Sequence, residues 1–94
     1  MTAVTAEAVR SFVGGQLSEP LLACGLAPEE LPLDLDLLAE GVIDSFGFLE
    51  LVLALEERYG VELDLEELDP DDLTLLGPFS AAVARQAATH EVAR

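Results

Sequence analysis

Positive charge is almost missing from this 94-residue sequence. It has no lysine and only 4 arginines, against 19 Asp and Glu, which gives a formal net charge of -15. A chain so acidic is repelled by phosphate backbones and by anionic membrane surfaces, so neither nucleic acid nor membrane is an expected partner. It is drawn instead toward basic protein surfaces, and that attraction grows as salt falls. Cys24 is the one cysteine, so no internal disulfide can form. His90 is the one histidine, and it lies near the end of the chain. A nucleophilic serine needs a positioned base, and a zinc site needs several Cys or His ligands; neither set is present. No unbroken apolar run exceeds Leu51 to Leu55, far short of a membrane span. The first cation is Arg10, so the start of the chain lacks the basic region of a signal peptide. These absences lead to the expectation of a cytoplasmic, monomeric, non-enzymatic protein.

What the sequence does hold is apolar residues, 51% of the chain, enough for one packed core. A single domain over residues 1–94 is expected, with its core at about 5–88. Thr5 to Leu17 reads as a helix, because Ala6, Val9, Phe12, Val13 and Leu17 follow the helical period. Thr5 or Thr2 can cap it, and Glu7 suits its first turn. Ser18 to Ile43 has no sustained period and is broken by Pro20, Pro28 and Pro32, so it reads as one long loop. Its many leucines predict a loop that lies on the core. Asp44 to Tyr59 is the clearest helix, with Asp44 as N-cap and Gly60 as C-cap. Leu65 to Leu68 reads as a short helical turn. Asp69 to Asp72 reads as a turn or a helix start. Pro78 to about Ala88 reads as a last helix, with a fraying tail from Thr89. The fold class is all-α, three main helices plus one short one, with a long first loop.

On a helical wheel, Phe48, Leu51, Val52, Leu55 and Tyr59 form one stripe of the helix from Asp44 to Tyr59. That stripe is the expected core face. Phe46, Leu49 and Leu53 gather on the other side, bordered by Glu50, Glu56 and Glu57. Two uses of this second strip are open: the leucine-rich loop covers it, or it is a contact surface. Ser45 stands in the first turn beside it, where main-chain N–H groups and the helix dipole favour an attached phosphate. For Asp44-Ser45 taken alone, ordinary helix capping is by far the better reading.

The run Leu33-Asp34-Leu35-Asp36-Leu37-Leu38-Ala39-Glu40-Gly41-Val42-Ile43-Asp44-Ser45-Phe46 resembles the acyl carrier protein family. Leu49-Glu50-Leu51-Val52 and Leu55-Glu56-Glu57-Arg58-Tyr59-Gly60-Val61-Glu62-Leu63 continue the resemblance, and the first helix looks like the family's opening helix. The resemblance reaches from about Thr5 to Gln86 and is most specific in the middle. It implies a four-helix bundle and 4′-phosphopantetheine, donated by coenzyme A, on Ser45. It implies that Asp44 aids recognition by a phosphopantetheinyl transferase. It also implies that Phe46, Gly47, Leu49, Glu50, Leu53, Glu56 and Glu57 form the partner-binding face. The implied partners are that transferase and an acyltransferase, ketosynthase or adenylating ligase with a basic docking surface. Phe46 replaces the family's usual leucine, Gly47 stands where an acidic residue is common, and Arg58 interrupts the acidic face. These departures point away from a housekeeping fatty-acid carrier and toward a discrete, specialised one. A fatty or polyketide cargo and an aminoacyl or peptidyl cargo both stay open. The start at Met1 leads to the expectation of a free-standing protein.

Two other classes compete. One is an unmodified acidic helical module that docks without a prosthetic arm. The other is an acidic ion-binding protein centred on Asp64 to Asp72, although that stretch lacks the glycine and spaced ligands of an EF-hand loop. Cys24 is expected to be buried or idle, and His90 to be solvated.

Overall fold

The computed structural model describes residues 4–67, 69 and 73–92, with side chains described as far as residue 87. Its helices are α1 (Ala6–Gln16), α2 (Ser18–Ala23), α3 (Ser45–Tyr59) and α4 (Leu76–Val92), with a 3-10 turn at Leu65–Glu67 between the last two. No strand occurs among the described residues; Asp36 and Leu75 form an isolated antiparallel bridge. The all-α expectation is met.

Helix α1 starts where its sequence says it should. Thr5 is extended, and its hydroxyl accepts a hydrogen bond from the Ala8 N–H at 3.1 Å, satisfying an orphan donor of the first turn. Val9 and Val13 on its inner face are fully buried. Helix α1 packs against α4, and the Phe12 ring meets Tyr59 edge-on at the end of α3, with centroids 6.3 Å apart.

Helix α2 corrects the expectation of one unbroken loop from Ser18 to Ile43. Six residues there are helical. No side chain caps this helix, and Leu17 is its N-cap. Pro20 falls in the first turn, where a missing N–H costs nothing. Leu21 then buries completely under the bundle. A helix this short and uncapped leaves almost no periodic signal.

The segment from Gly25 to Ile43 is the long connection. It does lie on the core: Leu35, Leu37 and Val42 are buried, and Leu26, Leu31 and Leu38 pack at its edge. Two leucines of the loop region depart from that expectation, since Leu22 and Leu33 are exposed. The long loop also builds the start of α4. The Leu76 N–H donates to the Leu35 carbonyl and the Gly77 N–H to the Leu33 carbonyl, both at 2.8 Å. Pro78 has no N–H to satisfy, and the Phe79 N–H returns to the Leu75 carbonyl at 2.9 Å. So α4 begins at Leu76 rather than Pro78, capped by another segment's main chain instead of by a polar side chain. It also runs on to Val92 rather than ending near Ala88. Leu68 and the turn expected at residues 70–72 lie outside the described residues.

The core gathers Val9 and Val13 of α1, Leu21 of α2, Phe48, Leu51 and Leu55 of α3, and Leu76, Phe79 and Val83 of α4. The Phe48 and Phe79 rings meet at its centre, 5.3 Å apart. Each fully buried side chain of this size contributes about 1.5–3 kcal/mol. This core seats α3 and thereby decides which of its faces looks outward.

Candidate functional site

Asp44 fixes the beginning of α3. Its backbone is extended, and its Oδ1 accepts the Gly47 N–H at 2.7 Å, while its carbonyl accepts the Phe48 N–H at 2.9 Å. Ile43 and Phe48 occupy the positions of a hydrophobic staple around this cap, and both belong to the core cluster or its margin. Gly47 belongs to the same arrangement. A Cβ there would lie 3.2 Å from the Ile43 Cβ and 3.3 Å from the Asp44 Oδ1. The departure from an acidic residue at Gly47 therefore leaves room for the cap. At the other end, Gly60 takes the left-handed conformation (φ 66) that ends the helix.

Ser45 is the first residue of α3 and is exposed. Its neighbours in the first turn have N–H groups with no intrahelical partner, and the dipole makes this end positive. The hydroxyl is therefore open to an incoming phosphorus centre, and a phosphodiester formed on it would sit in a favourable field.

The outward strip is open. Phe46 is 69% exposed, Leu49 53% and Leu53 62%, so the long loop does not cover them. This excludes the covered-strip alternative. Phe48, Leu51, Val52 and Leu55 are buried on the opposite face, as expected; Tyr59 is half-buried. Glu50 and Glu57 are exposed beside the strip. Glu56 behaves differently: it is half-buried, and its Oε2 accepts the Leu63 N–H at 2.8 Å, tying α3 to the chain that follows it. Arg58 lies over the Tyr59 ring, 5.4 Å from its centroid.

The segment leading into α3 holds a residue that the sequence reading passed over. Asp36 Oδ1 accepts the Leu38 and Ala39 N–H groups and the Thr74 hydroxyl. These hydrogen bonds, that from Ala39 foremost and that from Thr74 next, hold the Asp36 carboxyl below its usual range. The pair Asp36 and Leu38 carries a weak Asx-turn signal; the link to Thr74 carries none.

Cys24 is exposed, not buried. The side chain of His90 lies outside the described residues. Among the described residues, no group of His, Cys, Asp or Glu is arranged to hold a metal ion. Nor is any described helix long and apolar enough to cross a membrane.

Comparison with known proteins bears directly on this geometry. The family described as "Phosphopantetheine attachment site" matches residues 22–75, more than half of the chain and a span that contains α3 and its entry loop. The chain belongs to the phosphopantetheine-attachment family. Its prosthetic group is thus 4′-phosphopantetheine, covalently attached, and it is a carrier protein. It is similar to the D-alanyl carrier protein of Bacillus velezensis, 41% identical over 39 residues, covering 42% of this chain and 50% of that protein. The D-alanyl carrier proteins of Bacillus licheniformis and Bacillus subtilis are each 42% identical over 38 residues, covering 40% of this chain and 49% of theirs. The chain thus spans about half the length of these curated relatives. No solved structure matches.

Proposed function

We propose that Ser45 is the attachment point, and that the carrier bears an aminoacyl thioester on the arm and passes it between biosynthetic enzymes. The observation that carries this reading is an exposed serine at a helix N-terminus, directly beside an uncovered apolar strip. The transferase step follows from that placement. The Ser45 Oγ attacks the β-phosphorus of coenzyme A, its proton passes to a base on the transferase, and the nucleoside bisphosphate leaves. A phosphodiester to Ser45 is formed. Once attached, the arm supplies a thiol whose thioesters are activated for transfer.

The chain's own residues handle encounter and orientation. Asp44 holds the first turn, so that Ser45 is presented on fixed backbone. Phe46, Leu49 and Leu53 provide the contact, and Glu50 and Glu57 steer basic partners. Weak, salt-sensitive docking suits a carrier that visits a transferase and then a loading enzyme. An aminoacyl cargo, installed by an adenylating ligase, is supported by the name of the Bacillus relatives. The departures at Phe46 and Gly47 favour it over a fatty or polyketide cargo. The protein itself then performs no catalysis.

The test is intact-protein mass after incubation with coenzyme A and a broad-specificity transferase. The wild type is expected to gain the phosphopantetheine mass and Ser45→Ala to gain nothing. An unshifted wild type supports the unmodified helical module; a shifted Ser45→Ala moves the site elsewhere. Charging of the holo form by an amino-acid adenylating ligase, and not by an acyltransferase, tests the cargo class.

A further inference from the structure

Ser45 and the docking strip share one helix but are held by different forces. Leu49 and Leu53 stand in the body of α3, where the helical hydrogen-bond ladder fixes them. Ser45 stands in the first turn, which depends on its cap and on the segment that enters it. That segment is pinned in steps. The Leu37 carbonyl accepts the Val42 N–H at 3.1 Å and the Ile43 N–H at 3.2 Å, which closes a turn over Leu38 to Gly41. The same turn is held from its start by Asp36 Oδ1, which accepts Leu38 N–H at 3.1 Å and Ala39 N–H at 3.0 Å. The last support comes from far along the chain. The Thr74 hydroxyl donates to that same Oδ1 at 2.8 Å across a separation of 38 residues, and the Leu37 N–H donates to the Thr74 carbonyl at 3.0 Å.

We propose that Asp36 and Thr74 are positioning residues for loading: together they lock the turn that enters α3 and so hold Ser45 in place for the transferase. This rests on the reading of Ser45 as the attachment point. Neither residue touches coenzyme A in this account; they act through Leu37, Val42, Ile43 and Asp44.

Steady-state loading separates the roles. Thr74→Val keeps shape and removes the hydroxyl. It is expected to lower kcat for phosphopantetheinylation on the order of tenfold, with KM for the carrier unchanged, because the strip is untouched. Thr74→Ser restores the donor and is expected to restore kcat. Val83→Ala thins the buried core on α4 but removes none of the hydrogen bonds that pin this turn; it controls for lost stability and is expected to keep wild-type kcat. Amide hydrogen exchange at Gly47 reads the lock without any loading, and is expected to quicken in Thr74→Val more than in Val83→Ala. Wild-type kcat in Thr74→Val overturns the proposal. So does failure of Thr74→Ser to restore it, or an equal loss in Val83→Ala. If the exchange result holds but the wild type is not loaded, or Ser45→Ala still is, then the Ser45 reading has failed and the role in loading falls with it.

Discussion

The two faces of α3 are made of the same kinds of side chain and do opposite work. Phe48, Leu51, Val52 and Leu55 are sunk among α1, α4 and the long loop, while Phe46, Leu49 and Leu53 stand in solvent. The inner residues are held by packing on all sides, so their contribution appears in the folding equilibrium. The outer residues keep more than half of their surface in solvent, so folding draws less on them, and the proposed docking role is what would use them. A helix amphipathic in the usual way spends its second face on charge. This one keeps three large apolar groups there, rimmed by Glu50 and Glu57. The contrast separates the face that holds the protein together from the face proposed for docking.

The sharpest way to break the comparison is to truncate the inner face. Phe48→Ala removes the ring that meets Phe79 at the centre of the core and is expected to cost about 3–5 kcal/mol in stability. Chemical denaturation monitored by circular dichroism measures it. If the loss is below about 1 kcal/mol, the inner face is not the load-carrying one.

A smaller and different effect is expected outside. Leu49→Ala should change stability by no more than about 0.5 kcal/mol yet raise the KM for loading about tenfold. Glu50→Lys should slow loading through the association rate, and the gap from wild type should narrow as salt is raised. Loading kinetics over a salt series test both. Unchanged kinetics in both variants would erase the functional difference between the faces.

The smallest effect concerns the turn that leads into α3. Asp36→Asn keeps an acceptor but removes the charge, and should cost about 1 kcal/mol at neutral pH. The folded Asp36 carboxyl holds its proton less tightly than the unfolded chain does, because of the Ala39, Thr74 and Leu38 donors. Its contribution is therefore complete above the ordinary value of 3.8 and fades as pH falls through the lowered folded value. The stability difference between wild type and variant should accordingly be steady near neutrality and shrink below about pH 3.8. Paired thermal melts across that range check it; a gap that grows on acidification reverses the assignment.

Much of this was legible in the residues themselves, and the reasons are local. Asp44 and Gly60 bound α3 because a side-chain acceptor and a residue free to adopt positive φ are both needed within one turn of a helix end. The two apolar stripes follow from counting positions around that same helix. Helix α2 was not legible, because six residues without a capping side chain, with a proline inside, carry no period. The start of α4 was missed for a related reason: its donors are satisfied by the Leu33 and Leu35 carbonyls rather than by a neighbouring polar residue. The Thr74 contribution was missed because nothing local to Thr74 marks a partner 38 residues away.

By itself, the amino-acid order determined an acidic all-helical chain with Ser45 at the mouth of a well-capped helix. Charge balance, capping chemistry and a 3.6-residue period act within a few positions of one another, so they can be read without knowing where the rest of the chain goes. Only the tertiary structure decided that the leucine-rich loop turns away from Phe46, Leu49 and Leu53, and that Asp36 is met by Thr74. Both depend on where distant segments come to rest, and that is settled by competition for one shared core.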